Sequence, residues 1–299
     1  DTINNDNTRA TIEDTNFFDT FITTTKDGKK KLGIRFYRWF VVIFVHLLFI
    51  LSYYIDLQIL EGNLSGSRFL GFHLTDPFMT LQVFASTHHI PINLTIGTLT
   101  IVVIYLIMGG RAYCSWVCPY TILGEISEKL HRYLKKRKLI KSYKFNHNIK
   151  YIFWAIFLFL AFVSGYLVFE IINVVGIISR ALIYGYSIAL AFVVAVFLID
   201  TFFSQRFWCR YVCPIGTTYS FIGWGSTTKI VWDDSCDHCR VCANVCLVPH
   251  VLDITKKNAN INNKKEQTVI SGDCTLCGRC VEVCHNDSLN FETKLKKLI

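Results

Sequence analysis

Two runs near the carboxyl end constrain this chain more than anything else in it. Cys236-Asp-His-Cys239-Arg-Val-Cys242-Ala-Asn-Val-Cys246 is followed by Cys274-Thr-Leu-Cys277-Gly-Arg-Cys280-Val-Glu-Val-Cys284. Both read C-x2-C-x2-C-x3-C. A tight loop of that spacing can gather three thiolates round one inorganic core. The fourth cysteine begins a helix that leads away toward a second core.

This is the doubled spacing of a chain that holds two [4Fe–4S] clusters, in which the fourth cysteine of each run serves the other cluster. Cys236, Cys239, Cys242 and Cys284 are therefore expected at one cluster, and Cys274, Cys277, Cys280 and Cys246 at the other. The proline that usually follows the fourth cysteine is displaced here: Leu247-Val248-Pro249 follows one run and His285 the other. Zinc is the competing metal, and the eight-cysteine doubled pattern favours iron and sulfide over it. A disulfide framework does not suit a reducing compartment. Short strand-like pieces at Lys229–Trp232, Val251–Thr255, Thr268–Ser271 and Leu289–Glu292 suggest two small hairpins, with a polar loop at Lys256–Glu266 between the halves.

Upstream the chain changes character. Hydrophobic residues make up 52% of the whole and charged residues 18%, too few charges for an all-soluble protein. Trp39–Ile55, Ile90–Gly110, Tyr151–Phe169 and Ala181–Ile199 carry no formal charge and approach the length that crosses a bilayer, about 20 residues. Arg38 could snorkel from the first of them to the headgroups. Net charge is +9, but placement matters more. Lys26–Arg38 holds six Lys and Arg and Arg111–Lys150 holds ten, whereas Asp56–His89 holds only Arg68 and Glu170–Arg180 only Arg180. By the positive-inside rule both termini are expected in the cytoplasm. The basic stretch Glu125–Lys144 reads as a helix lying on anionic headgroups. Asp1–Thr25 is polar and lacks the apolar region of a secretory signal.

The expected fold is thus membrane α-helical, with four transmembrane helices in duplicated pairs, plus a small α+β ferredoxin-like 2[4Fe–4S] domain. Its expected parts are a polar cytoplasmic tail at 1–31, a membrane domain at 32–225 with a basic loop at 120–150, and the ferredoxin-like domain at 226–299.

The remaining four cysteines form a second duplication. Arg111-Ala-Tyr-Cys114-Ser-Trp-Val-Cys118-Pro119 matches Arg206-Phe-Trp-Cys209-Arg-Tyr-Val-Cys213-Pro214. Each copy follows the second span of a pair. Cysteines four apart share a helix face, and Pro suits the first turn of a new helix. Cys114, Cys118, Cys209 and Cys213 are therefore candidates for a third redox or metal site, against the plainer alternatives of metal-free dithiols or buried inert thiols. No C-x-x-C-H occurs, and His46 is the lone mid-span histidine, so no haem is expected. Neither G-x-G-x-x-G nor a P-loop is present, and no nucleic-acid partner is expected.

With these motifs in place the chain resembles the NapH family, membrane ferredoxin-type subunits of periplasmic nitrate reductase systems. The resemblance is carried by Thr75-Asp-Pro-Phe-Met-Thr-Leu-Gln82, Cys114-Ser-Trp-Val-Cys118-Pro119, Cys213-Pro-Ile-Gly216, Pro249-His-Val-Leu252 and Cys277-Gly-Arg-Cys280, and runs from about Leu32 to Glu292. It implies a quinol dehydrogenase subunit of the bacterial inner membrane. Such a subunit would oxidise quinol, menaquinol or ubiquinol, and pass electrons with a NapG-like periplasmic iron–sulfur partner toward the reductase. The similar NosH proteins of nitrous-oxide reduction would look the same, and assembly ferredoxins with copper-reducing activity share the spans and cysteine runs. A redox sensor is a third reading. Quinol oxidation needs acceptors for two protons. Asp76, Gln82, His88, His89 and Glu170 lie in the outer loops; histidine can take a proton from a hydroxyl and release it, and His88 and Asp76 rank first because they lie in the stretch that carries the resemblance. Their plainer roles are a turn at Asp76-Pro77 and an interfacial histidine pair.

Overall fold

The computed structural model describes residues 22–24, 30–55, 60–64, 66–69, 72–89, 91–143, 145–256 and 266–293. Most of the expected tail at 1–31 and of the loop between the ferredoxin halves lies outside these residues.

After a short hairpin of β1 (Ile22–Thr24) and β2 (Lys30–Leu32), helix α1 runs from Ile34 to Ile55. Among the described residues it is the one helix long and apolar enough by itself to cross a membrane. A three-stranded antiparallel sheet follows: β3 (Leu60–Asn63), β4 (Gly66–Phe69) and β5 (Phe72–Thr75). The chain then enters α2 (Pro77–Thr87). Asp76 caps this helix by accepting from the Met79 backbone N–H, and Pro77 fills the first turn, where no N–H is needed.

Helix α3 (Ile92–Met108) is apolar but carries three threonines. Thr95, Thr98 and Thr100 return their hydroxyls to the carbonyls of Pro91, Leu94 and Ile96, one turn back. Thr98 also meets Thr80 of α2 at 2.6 Å, tying the two helices together. Short α4 (Ala112–Trp116) and amphipathic α5 (Tyr120–Lys136) come next, then α6 (Ile149–Ser164), α7 (Val168–Ile172), α8 (Val174–Tyr184) and α9 (Leu190–Phe202). The window Ala181–Ile199 is therefore not one helix. It straddles α8 and α9, and Gly185 at φ +96° closes α8 in a conformation that other residues rarely adopt. A single π-helical turn (Trp208–Val212) leads into α10 (Pro214–Gly225). Phe40, Phe44, Ile96, Leu99, Ile152 and Phe159 are among the large apolar side chains left exposed on α1, α3 and α6.

The carboxyl-terminal part is one three-stranded antiparallel sheet rather than two hairpins. Central β6 (Thr228–Asp233) pairs with β7 (Glu266–Thr268) on one side and β8 (Leu289–Thr293) on the other. The expected strand at Val251–Thr255 is a 3₁₀ segment, Pro249–Thr255. Pro249 lacks the N–H that a ladder would use. Val251 and Leu252 are buried, and the Thr255 hydroxyl bonds back to the Leu252 carbonyl. Helices α11 (Val241–Val245) and α12 (Arg279–Glu282) each carry the third cysteine of a run and end just short of the fourth.

This small domain is seated on the helices through a glycine seam. A Cβ at Gly272 would stand 2.1 Å from the Ser220 carbonyl of α10, and one at Gly223 would stand 2.6 Å from the Gly272 carbonyl. Only glycine permits so close a backbone approach.

Candidate metal centres

The thiols fall into three neighbourhoods. Cys242 lies among Cys239, Cys236 and Cys284, and burial lifts its pKa to about 11. Cys246 faces Cys277 and Cys274, the other run. Burial likewise lifts Cys274 to about 12. Cys284 thus stands near the first run and Cys246 near the second. Cys242 and Cys274 are not thiolates at neutral pH unless a cation draws off the proton.

The third neighbourhood is assembled from distant segments. Cys114 sits within α4 and Cys118 just after it; Cys209 sits in the π-helical turn and Cys213 just before Pro214. Cys118 is buried, and its surroundings are Cys114, Cys209 and Cys213. The duplicated motifs therefore converge. Arg111 bridges them by donating from Nη2 to the Cys209 carbonyl at 3.2 Å.

Donor chemistry and spacing can be tested against zinc. Tetrahedral zinc with Zn–S of about 2.3 Å would hold its sulfurs roughly 3.8 Å apart. Among the described residues, Asp237, Cys239 and His285 also bring their ligand atoms close together. The three sets above are all thiols, four apiece, the donor set of a [4Fe–4S] cluster.

The centres are linked. Ser115, beside Cys114, donates from its hydroxyl to the Thr275 carbonyl at 2.7 Å, and Trp116 donates from Nε1 to the Leu276 carbonyl at 3.1 Å. Thr275 and Leu276 form the loop between Cys274 and Cys277. Asp273, next to Cys274, receives Arg111 at 3.2 Å, Lys150, the Ser220 hydroxyl at 2.7 Å and His250 Nε2 at 3.0 Å. Burial alone would raise this carboxyl, but His250, Arg111 and Lys150 outweigh it and hold the pKa well below the usual range.

A second charged knot lies on α5, assembled from residues far apart in the chain. Glu125 is buried between Arg35 (2.8 Å), Arg38 (2.9 Å) and Arg279 (2.8 Å); Glu128 meets Arg206 (3.0 Å), Arg132 and Arg279 (3.5 Å). Burial opposes ionisation of Glu125, yet the arginines hold its pKa at about 2. Arg38 does not snorkel; it is fully buried. Helix α5 is not simply laid on a surface, because Glu125, Ser127, Glu128 and His131 face inward. Two acids three residues apart in an otherwise basic helix were the available signal.

Asp76 and His88 stand at opposite ends of α2, about 18 Å apart along the helix axis. His88 is an exposed helix cap at φ 54°, resting on Phe162. Asp76 is buried, and its Oδ1 has no close hydrogen-bond partner among the described residues. Tyr219 lies beside it. Tyr219 stacks on Tyr113 at 4.9 Å, and Tyr105 packs on both rings. Beyond this trio lie Cys114 and Cys213. Gln82 is buried with a free Nε2, His89 is exposed, and Glu170 pairs with Arg180 and Asn173. A cleft of about 400 Å³ lies on the small sheet, lined by Arg68, His73, Thr75, Met79 and Leu94 among others; Asp76, next to Thr75 in the chain, is buried and does not line it. His73 Nε2 stands 3.3 Å from Arg68. It was missed because nothing in its sequence context marks it; the β4–β5 turn puts it in the cleft.

Three thiol sets on a helical platform with a small sheet domain define a ferredoxin-type iron–sulfur protein. Comparison with known families agrees. A 4Fe-4S binding domain matches residues 90–138 and 186–230, the two C-x3-C-P regions, and a 4Fe-4S dicluster domain matches residues 235–288. The chain is 33% identical to the ferredoxin-type protein NapH of Escherichia coli over 89% of its own length and 93% of that protein's. It is likewise 33% identical to NapH of Haemophilus influenzae, over 90% and 95%. The methylamine utilization ferredoxin-type protein MauN of Paracoccus denitrificans is 32% identical over 72% and 75%. No solved structure matches the chain. The chain belongs to the NapH family of ferredoxin-type proteins, and electron transfer through iron–sulfur clusters is its chemistry.

Proposed function

We propose that this protein is a membrane-embedded quinol dehydrogenase subunit. It draws electrons from quinol, with menaquinol the preferred form, and delivers them toward a periplasmic reductase through a NapG-like iron–sulfur partner. The observation that carries this reading is the buried Asp76 carboxyl, which lies against the tyrosines that border Cys114 and Cys213. Its chain neighbour Thr75 lines a cleft with the size of a small-molecule site.

Apolar side chains exposed on α1, α3 and α6 support a bilayer setting for these helices. With α9 they form the four-span platform, with both termini cytoplasmic, as the charge asymmetry of the loops favours. Helix α2 re-enters from the outer loop, so a substrate reaching Asp76 approaches the thiols without crossing the whole membrane.

Cys236, Cys239, Cys242 and Cys284 would hold one [4Fe–4S] cluster and Cys246, Cys274, Cys277 and Cys280 the second; Cys114, Cys118, Cys209 and Cys213 are suited to a third. Such clusters supply one-electron acceptors when bound. Oxidation of quinol releases two electrons and two protons. Asp76, buried behind Thr75, would take one proton, and His73, in the lining of the cleft, the other. His88 lies too far along α2 to share the cleft. Thr75 and Met79 flank the ring, and Arg68 orients His73.

The test is cluster reduction by quinol, read by EPR in native membranes held without oxygen. Menaquinol should reduce the clusters, and Asp76→Asn should suppress that reduction while dithionite still reduces them. Clusters that dithionite reduces but quinol does not, in the unaltered protein, would overturn the reading.

A further inference from the structure

The two ferredoxin-type thiol sets sit in unlike electrostatic surroundings: Asp273, beside Cys274, is itself held by Arg111, Lys150 and His250, whereas Asp237, beside Cys239, meets His285 at an exposed rim. The set of Cys246, Cys274, Cys277 and Cys280 is ringed by buried arginines. Arg38 and Arg279 are close enough to Cys277 to interact with it electrostatically, Arg111 does the same at Cys274, and Arg210 at Cys246. Arg210 also donates to the Leu247 carbonyl at 2.8 Å, fixing it next to Cys246. The other set is flanked by Asp237 at Cys239, and its rim is exposed to water.

Arg38 differs from its neighbours. It comes from α1, a helix with no part in the ferredoxin fold, and its side chain is wholly inside the protein. Nε donates to the Ser115 carbonyl at 3.2 Å, and Ser115 in turn donates to Thr275, within the cysteine loop. Glu125 faces Arg38 but is already shared with Arg35 and Arg279. Around Glu125 and Glu128 the buried arginines outnumber the carboxylates, and Nη1 of Arg38 has no hydrogen-bond partner among the described residues. Uncompensated buried cations are strongly unfavourable, so an anion is called for at this place. A four-thiolate cubane is a dianion when oxidised and a trianion when reduced, which answers the requirement.

We propose that Arg38 is a potential-setting residue for the cluster held by Cys246, Cys274, Cys277 and Cys280. Its buried charge favours the reduced, more negative form and lifts that cluster's reduction potential above that of the cluster held by Cys236, Cys239, Cys242 and Cys284. Low local dielectric makes a charge at this range effective, and charge and hydrogen bonding near the sulfurs are recognised determinants of cluster potential. The consequence is an order of filling: the cluster docked against the helices takes an electron before the one at the water-facing end. This rests on the cluster assignment proposed above.

The experiment is an EPR-monitored redox titration of the full-length protein in detergent, with iron and acid-labile sulfide measured on each preparation. Cys239→Ser labels the signal of the water-facing cluster. In the unaltered protein the two signals should titrate separately, the docked cluster higher. Arg38→Met should lower the reduced-to-oxidised ratio of the docked cluster about tenfold at fixed ambient potential, a shift of about 59 mV for one electron, and leave the labelled signal in place. Arg38→Lys should recover most of the shift. Glu125→Gln should move the docked cluster the opposite way, because it removes a negative charge from the same knot. Should Arg38→Met fail to fold, Glu125→Gln still decides the sign. Coincident midpoints in the unaltered protein, equal shifts of both signals, or shifts of the same sign in the two variants would overturn the proposal. A preparation without iron and sulfide would instead overturn the cluster assignment on which it rests.

Discussion

The two groups of cysteines are built in opposite ways. The eight of the carboxyl-terminal part come from two short runs, and local loops and the helices α11 and α12 present them. The four of the C-x3-C-P motifs come from segments almost a hundred residues apart. They meet only because the helices preceding them pack and Arg111 reaches from one copy to the carbonyl of the other. The first arrangement is written in spacing. The second is written in repetition, and packing completes it. The difference teaches that the local sites can be exchanged between proteins as a module, whereas the convergent site belongs to the platform and joins it to the module.

The most severe way to break that comparison is to remove the convergent site. Cys118→Ala with Cys213→Ala should abolish quinol-dependent reduction of the ferredoxin clusters while dithionite still reduces them. Iron should fall from about twelve atoms to about eight per chain, four being lost with a cubane. Iron at about eight in both proteins would show the four thiols to be without a cluster. Next in size is Asp76→Asn, expected to slow quinol oxidation by about 10²–10⁴-fold, the usual contribution of a positioned base. Burial lifts the Asp76 carboxyl to about 7, with Glu170 adding repulsion. Below that pH the group is protonated and cannot accept a proton, so the rate should climb as pH rises through 7. Asn should remove that limb, and His88→Ala at the far end of α2 should leave both rate and limb in place.

Much of this was legible in the sequence, for reasons that differ by region. The crossed thiol pattern follows from C-x2-C-x2-C-x3-C because a loop of that length has little choice. Strands β6 and β8 were legible as apolar runs before and after the cysteines. Val251–Thr255 was not, since a short β-branched run after proline suits a 3₁₀ turn as well as a strand, and burial of Val251 and Leu252 decided it. The Ala181–Ile199 window was apolar throughout, so composition could not report the break at Gly185. Arg38 looked like a headgroup anchor, as charge next to an apolar run usually is, and Arg35 counted only as one of the basic residues before the span. Their true partner, Glu125, lies about ninety residues on, beyond the reach of any local pattern. His73 reaches its cleft through the β4–β5 turn of a small sheet that no periodicity in Asp56–His89 marks, and Asp76 follows that sheet as the cap of the next helix.

The joint between module and platform can be probed more gently. Gly272→Ala would press a methyl group to 2.1 Å from the Ser220 carbonyl, and backbone atoms on both sides cannot simply turn aside. Overpacking of this kind costs about 1–3 kcal/mol. The loss should appear in a thermal melt of the detergent-solubilised protein, with the small domain released to protease before the helices.

Trp116→Phe is the mildest test and the most specific. It keeps an aromatic ring at the site, smaller than the indole, and deletes the Nε1 donor to the Leu276 carbonyl, leaving that acceptor partly buried without its partner. One such bond is worth about 1 kcal/mol, so the melt should move slightly and the iron content not at all. If the convergent site joins the module to the platform, the change should still be felt in the rate at which quinol-derived electrons reach the ferredoxin clusters, because Trp116 lies between Cys114 and Cys118 while Leu276 lies between Cys274 and Cys277. A stopped-flow measurement that finds this rate unaltered, with the melt displaced as expected, would mean that the contact holds the two parts together without setting the path between them.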